Sequence, residues 1–196
     1  MKKTIKIVVI CCLFLTQACA LKEDVLLDQM RSKINNATKL LQNKTMDETQ
    51  KEHALFNLFD PVFDFELMSK LSLGRQWMSL TNEQQELYKK TFEDKLKASY
   101  MDQLNLYTNQ QVLVQGITKT KSNRIELLMH IKGTEDTYEV IYKFYKNKQN
   151  DWLIYDINIL GVSMIQTYIN QFVGVLQKDS FEALIQKLSE VKAISK

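Results

Sequence analysis

The chain has 196 residues, 45% hydrophobic and 25% charged, with 5 Gly and 1 Pro. This is one domain's length in an ordinary globular composition, and it excludes a collagen-like, low-complexity or intrinsically disordered chain. The only long apolar run lies at the start, which excludes a multi-pass membrane protein.

That start has its own organisation. Lys2, Lys3 and Lys6 precede the nine apolar residues Ile7–Leu15, and Thr16-Gln-Ala18-Cys-Ala20 follows. A basic segment, a short apolar stretch and small residues at alternate positions predict a secretory signal over residues 1–20, cleaved after Ala20. Nine residues are too few to span a bilayer as a helix. Lipidation at Cys19 is the minor alternative, because Thr16 stands where a lipobox wants Leu. Cleavage leaves 21–196 as one predicted domain. The leader holds three of the 26 basic residues and none of the 23 acidic ones, so the formal charge of +3 becomes zero. No global field then attracts nucleic acid. Cys11, Cys12 and Cys19 are the 3 cysteines. All three leave with the leader, which removes disulfides and thiolate metal sites.

In the remainder, Leu27, Met30, Ile34, Ala37, Leu40 and Leu41 fall at helical spacing within 23–43. A second helix restarts at Thr45-Met-Asp-Glu, carries Leu55, Leu58 and Phe59, and is broken by Asp60-Pro61. A very apolar helix is predicted over 62–73, stopped by Gly74 as C-cap. Thr81-Asn-Glu-Gln84 has capping-box spacing and opens the longest helix, 82–107, with the stripe Leu87/Tyr88, Phe92, Leu96, Tyr100, Leu104 and Tyr107.

From Gln111 the period becomes two. Strands are predicted over 111–118, 124–132, 137–146 and 151–160, and their short links imply an antiparallel meander. Tyr138, Val140, Tyr142 and Phe144 share one face of the third strand. The second and fourth strands are apolar on both sides, which predicts partial cover of both sheet faces. Ser163 is a natural N-cap for a greasy helix running to about Gln177, and a last helix starts at Ser180. The predicted fold class is α+β: N-terminal helices, a curved antiparallel sheet of four or slightly more strands, and C-terminal helices packed back on it.

Catalytic and metal signatures are scarce. His53 and His130 lack a paired-ligand spacing, so no metal and no cofactor are expected. Asp64 and Asp156 have apolar neighbours. A buried aspartate is a candidate general base, but a structural hydrogen bond is the plainer reading. The aromatic strand 138–145 carries Lys143 and Lys146, yet a neutral exported chain has no use for base stacking, and aromatic strands ordinarily form core. Asn36-Ala-Thr38 and Asn43-Lys-Thr45 fit a glycosylation sequon and matter only in a cell that modifies it.

Three stretches together resemble one family. They are Phe63-Asp-Phe-Glu-Leu-Met-Ser-Lys-Leu-Ser-Leu-Gly74-Arg-Gln-Trp77; Thr81-Asn-Glu-Gln84 with Phe92, Leu96 and Tyr100; and Trp152-Leu-Ile-Tyr155-Asp156 with Gly161-Val-Ser163, Gln171-Phe172 and Phe181-Glu-Ala-Leu184. In order and over nearly the whole mature chain, they are similar to MlaC, the toluene-tolerance auxiliary family of an ABC transport system. The resemblance implies a cone related to nuclear transport factor with an apolar cavity. It implies a soluble, monomeric, periplasmic phospholipid carrier of a Gram-negative bacterium, without enzymatic activity. Such carriers move diacyl phospholipid between an outer-membrane lipoprotein–porin complex and an inner-membrane Mla ABC transporter complex, which maintains outer-membrane lipid asymmetry.

On that reading the expected lipid-pocket residues come from two sources. The sheet supplies Val114, Ile125, Leu127, Met129, Tyr142, Phe144, Tyr155 and Ile157, with Val162 after it. The helices supply Phe65, Met68, Leu71, Leu73, Trp77, Phe92, Leu96, Tyr100, Ile165, Ile169 and Phe172. Gly74, Trp152, Asp156, Gly161 and Ser163 are expected as structural motif positions, with Asp156 a hydrogen-bond acceptor. Two rivals remain. One is an isomerase- or hydratase-type enzyme on the same cone using Asp156. The other is an exported adaptor presenting an exposed apolar patch over 164–176.

Overall fold

A computed structural model describes residues 21–190 except 105, 106, 108, 134, 135 and 173. The predicted leader, its cleavage point and the Cys19 alternative lie outside the described residues. Helix α1 spans Leu26–Gln42 and buries Leu26, Met30, Ile34 and Ala37 along one face. Helix α2, Glu48–Phe59, starts at a capping box: the Asp47 carboxylate accepts from the Gln50 amide and the Gln50 side chain accepts from the Asp47 amide.

Pro61 then turns the chain through a 3-10 segment, Asp60–Val62. The helix predicted over 62–73 is shorter than expected. Phe63 is extended and pairs in parallel with Ile154, so α3 runs only over Phe65–Leu73, with Asp64 as its N-cap accepting from the Leu67 amide at 2.8 Å. The Asp64 amide donates to the Ile154 carbonyl, and this sheet-edge pairing outcompetes an earlier helix start. Gly74 ends α3 with φ +54°, a conformation an L side chain rarely adopts. A 3-10 segment, Gly74–Ser79, leads to α4, Asn82–Leu104, opened by the Thr81–Gln84 capping box.

The sheet is an antiparallel meander of five strands in sequence order: β1 Gln111–Lys121, β2 Arg124–Lys132, β3 Thr137–Lys146, β4 Trp152–Ile159 and β5 Val162–Ser163. Its inner face buries Ile125, Leu127, Met129, Val140, Tyr142, Phe144, Ile154 and Ile157. The other face is covered only in part: Asp156, which pairs with Lys143 there, is buried. On β2 and β3 its residues, among them Leu128, Ile141, Lys143 and Tyr145, are half-buried or exposed. The run Trp152–Tyr155 on β4 alternates, with Trp152 and Ile154 buried and Leu153 and Tyr155 half-buried, and a bulge follows Ile154. Lys143 pairs with Asp156 and Phe144 with Ile154, so Tyr155 is the extra residue.

The C-terminal helices are α5 Met164–Phe172, α6 Val175–Lys178 and α7 Phe181–Glu190. The single helix predicted from Ser163 to Gln177 is therefore broken, and the break is chemical. Gly174 takes φ +72°, and Gln76 satisfies both loose ends by donating to the Phe172 carbonyl at 2.7 Å and accepting from the Leu176 amide at 3.0 Å. An aromatic column joins α4 to α5. Phe92 and Tyr168 meet at 5.0 Å between ring centroids, Tyr88 and Phe92 at 6.0 Å, and Trp77 lies edge-on to Tyr88. On α5, Met164, Ile165, Tyr168 and Phe172 are buried. The exposed apolar patch of the adaptor reading is therefore not what these α5 residues form.

Candidate functional site

An apolar cleft opens where α2 and the Asp60–Val62 turn face α4. Its walls are Leu55, Phe56, Phe59, Asp60, Phe63 and Phe65 on one side and Leu96, Lys97 and Tyr100 on the other, with Ile157 of β4 and Met164 of α5 completing the lining. Its cavity volume is about 30 Å³, and the empty space reaches about 390 Å³ when open solvent at the mouth is counted. Phe59 meets Tyr100 edge-on at 6.5 Å and Phe63 stacks on Phe65 at 5.4 Å. The Tyr100 hydroxyl lies 3.4 Å from that of Tyr142, and burial pushes both phenols above their ordinary pKa, so they stay neutral.

Lys97 is the charged group of the wall. Its ammonium donates to Asp60 Oδ2 and to Glu93 Oε1, each at 2.6 Å, and lies 5.2 Å from the Phe56 ring centre and 5.0 Å from that of Phe65. Burial acts to lower its pKa, but the bonds to Asp60 and Glu93 outweigh it and hold the ammonium above its usual range.

Four of the sequence-predicted residues line this cleft: Phe65, Leu96, Tyr100 and Ile157. Met68, Leu73, Trp77, Phe92, Ile125, Leu127, Met129, Tyr142, Phe144, Ile165 and Phe172 are buried in the core that supports it. Leu71, Val114 and Ile169 are half-buried and packed against that core. Two expectations fail. The β4 bulge turns Tyr155 away from the inner face, where its ring packs edge-on to Tyr145 beneath the Arg124 guanidinium. Val162 stands on a two-residue edge strand and is 59% exposed. Sequence reasoning missed Phe56, Phe63 and Met164 as lining, and saw in Leu55 and Phe59 only a packing stripe. The available signal was the run Ala54-Leu-Phe-Asn-Leu-Phe59, apolar around more of the helix than one core contact uses.

The motif residues hold the frame. Asp156 is buried, accepts from Lys143 Nζ at 3.0 Å and Ser163 Oγ at 2.8 Å on one oxygen, and from the Ile165 amide at 3.2 Å on the other. Ser163 Oγ in turn accepts from the Gln166 amide at 3.0 Å, so Asp156 and Ser163 together cap α5. Asp156 is not among the cleft residues. Gly161, at φ +82°, makes the turn between β4 and β5, and Trp152 is fully buried. Asp64 accepts the Tyr145 hydroxyl as well as capping α3. His53 is exposed and His130 lies 4.0 Å from Glu139. Among the described residues there is no cluster of metal-ligating side chains, and no helix is long and apolar enough to cross a membrane.

Residues 31–190 match the family described as MlaC protein. The chain is 28% identical over 134 residues to the intermembrane phospholipid transport system binding protein MlaC of Haemophilus influenzae, an alignment covering 66% of this chain and 63% of that one. It thus spans less than two thirds of that relative's length. The fold matches the crystal structure of a phospholipid-binding protein from Ralstonia solanacearum in complex with a phospholipid, with a TM-score of 0.71, 23% identity, and cover of 83% of this chain and 94% of that one. The α+β architecture read from the sequence is therefore shared with that structure, and this chain belongs to the MlaC family.

Proposed function

We propose that the chain is a phospholipid carrier that shields acyl chains in the cleft between α2 and α4 and moves lipid between membranes. The observation that carries this reading is the apolar lining itself, eight side chains of Leu, Phe, Ile and Met within one opening, in a fold like that of a protein crystallised with a phospholipid. Moving an acyl chain through water exposes apolar carbon worth about 0.8 kcal/mol per CH₂. A chain of roughly sixteen carbons faces a barrier on the order of 12 kcal/mol. A carrier removes that barrier by replacing water with apolar wall.

A cavity volume of about 30 Å³ is far short of what an acyl chain fills. Taking up an acyl chain therefore requires α2 and the Asp60–Val62 turn to draw away from α4, uncoupling Phe59 from Tyr100. The leader expected over residues 1–20 supports a periplasmic carrier. On this reading it acts as a monomer, docks to an outer-membrane lipoprotein–porin complex and an inner-membrane Mla ABC transporter complex, and supports outer-membrane lipid asymmetry. The enzyme reading has no comparable support, because Asp156 has donors on both oxygens and lies off the cleft.

The test is native mass spectrometry of protein purified without detergent, followed by lipid analysis of an organic extract. An added mass equal to one diacyl phospholipid is expected. A bare mass that persists after incubation with phospholipid vesicles overturns the reading.

A further inference from the structure

The mouth of the cleft is charged in a specific pattern. Asp60 and Glu93 are about one-third exposed, at 37% and 34%, while Lys97 beneath them is 17% exposed. The group is thus two outward carboxylates over one inward ammonium, with a net charge of −1. The same place is already built to hold an alkylammonium, because the Lys97 head lies against both Phe56 and Phe65, within cation–π reach of each. The same cleft is lined by Leu55, Phe59, Leu96 and Tyr100, which a lipid tail would meet.

We propose that Asp60, Glu93 and Lys97 read the lipid headgroup, selecting a zwitterionic phosphodiester that ends in an amine over one with net negative charge. The proposal rests on the carrier reading above. An anionic headgroup can engage Lys97 only by drawing it from its two carboxylates, which are left facing each other and the new anion. A zwitterion keeps every anion beside a cation and the group at −1: its phosphate takes Lys97, and its ammonium bridges Asp60 and Glu93 beside the Phe56 and Phe65 rings. Charge alternation, and not a shape fit, sets the selectivity.

The experiment uses the whole chain, exported and purified, and vesicles holding equal parts phosphatidylethanolamine and phosphatidylglycerol with identical acyl chains. The ratio of the two lipids bound is read by mass spectrometry. The wild type should enrich the ethanolamine lipid by about three- to fivefold, the scale a partly exposed ion pair supplies. The double variant Asp60→Asn with Glu93→Gln turns the mouth net positive and should lower the ratio below one. Lys97→Gln leaves both carboxylates and should raise the ratio above that of the wild type. Loss of packing alone has no reason to move the two ratios in opposite directions. A wild-type ratio equal to that of the vesicles, or variants shifting the same way, overturns headgroup reading while leaving the carrier intact. Absence of bound lipid in the wild type overturns the carrier reading and this proposal together.

Discussion

Phe59 at the end of α2 lies edge-on to Tyr100 of α4, with ring centroids 6.5 Å apart, and this pair bridges the two walls of the cleft that Ile157 and Met164 also line. Phe59 is 5% exposed, so its ring belongs to the core as well as to the closure. Phe59→Ala should therefore destabilise the fold by about 3 kcal/mol and speed lipid exchange with vesicles. Urea unfolding and a fluorescent-lipid transfer assay measure the two effects. Unchanged exchange in a destabilised variant would mean that α2 and α4 do not part along this seam.

Filling the cleft is the converse experiment. Met164 is 4% exposed and lines the cavity, so Met164→Trp puts an indole where an acyl chain is to lie. Overpacking of this kind costs about 1–3 kcal/mol. The variant should remain folded by circular dichroism and yield much less extractable lipid than wild type. Leu87→Trp, on a half-exposed position of α4 away from the cleft, is the control and should keep its lipid. Equal lipid in the two variants excludes this cleft as the binding site.

The frame around β4 gives a stability prediction. Asp156 ties the sheet to α5 by accepting from Lys143, Ser163 and the Ile165 amide. Asp156→Ala leaves three donors without their acceptor, one of them an ammonium only 23% exposed. The loss should be about 3 kcal/mol. Asp156→Asn, which keeps an acceptor oxygen, should lose less, as read from urea midpoints. If Asp156→Asn instead abolishes an activity at unchanged stability, the enzyme reading returns.

How far the sequence reaches depends on what kind of information each feature needs. Strands β2 and β3 lie where period-two alternation placed them, Arg124–Lys132 and Thr137–Lys146, because the pattern needs only one buried face. Capping at Thr81 and Gly74 was likewise local chemistry. The Tyr155 bulge was not legible, because two residues opposing one is set by the Phe144 and Lys143 register across the sheet. The cleft was only partly legible. Periodicity marks Leu96 and Phe92 alike as inward, yet Leu96 borders the opening while Phe92 packs on Tyr168. Which buried side chains face a void and which face one another depends on how α2 and α4 splay, and no residue pattern within either helix encodes that angle. The break at Gly174 had a visible glycine, but its partner Gln76 is nearly a hundred residues away.

That long-range clamp can be tested directly. Gln76→Ala strips the Phe172 carbonyl of its donor and the Leu176 amide of its acceptor. Two half-buried hydrogen bonds together should be worth about 1–3 kcal/mol. The variant should show faster amide exchange confined to α6 and α7 while the sheet remains protected. Uniform acceleration across the chain would mean that the clamp serves the global fold and not the C-terminal unit alone.

The buried phenols predict how stability falls in alkali. Burial raises the Tyr168 hydroxyl to about 12, and burial raises Tyr88 further still. An unfolded tyrosine releases its proton near pH 10. Between that value and the folded one, the unfolded chain binds fewer protons than the native chain, so the unfolding free energy declines as pH rises. Below pH 10 both states are protonated and the contribution is fully present. Above it, Tyr168 alone removes about 1.4 kcal/mol per pH unit until its folded value is reached, on the order of 2.7 kcal/mol in all. Urea midpoints at pH 9, 10 and 11 should therefore be flat over the first interval and fall over the second, and Tyr168→Phe should reduce the fall. A midpoint that holds through pH 11 would mean that these hydroxyls are open to water in solution, and that the aromatic column between α4 and α5 is looser than its ring spacings imply.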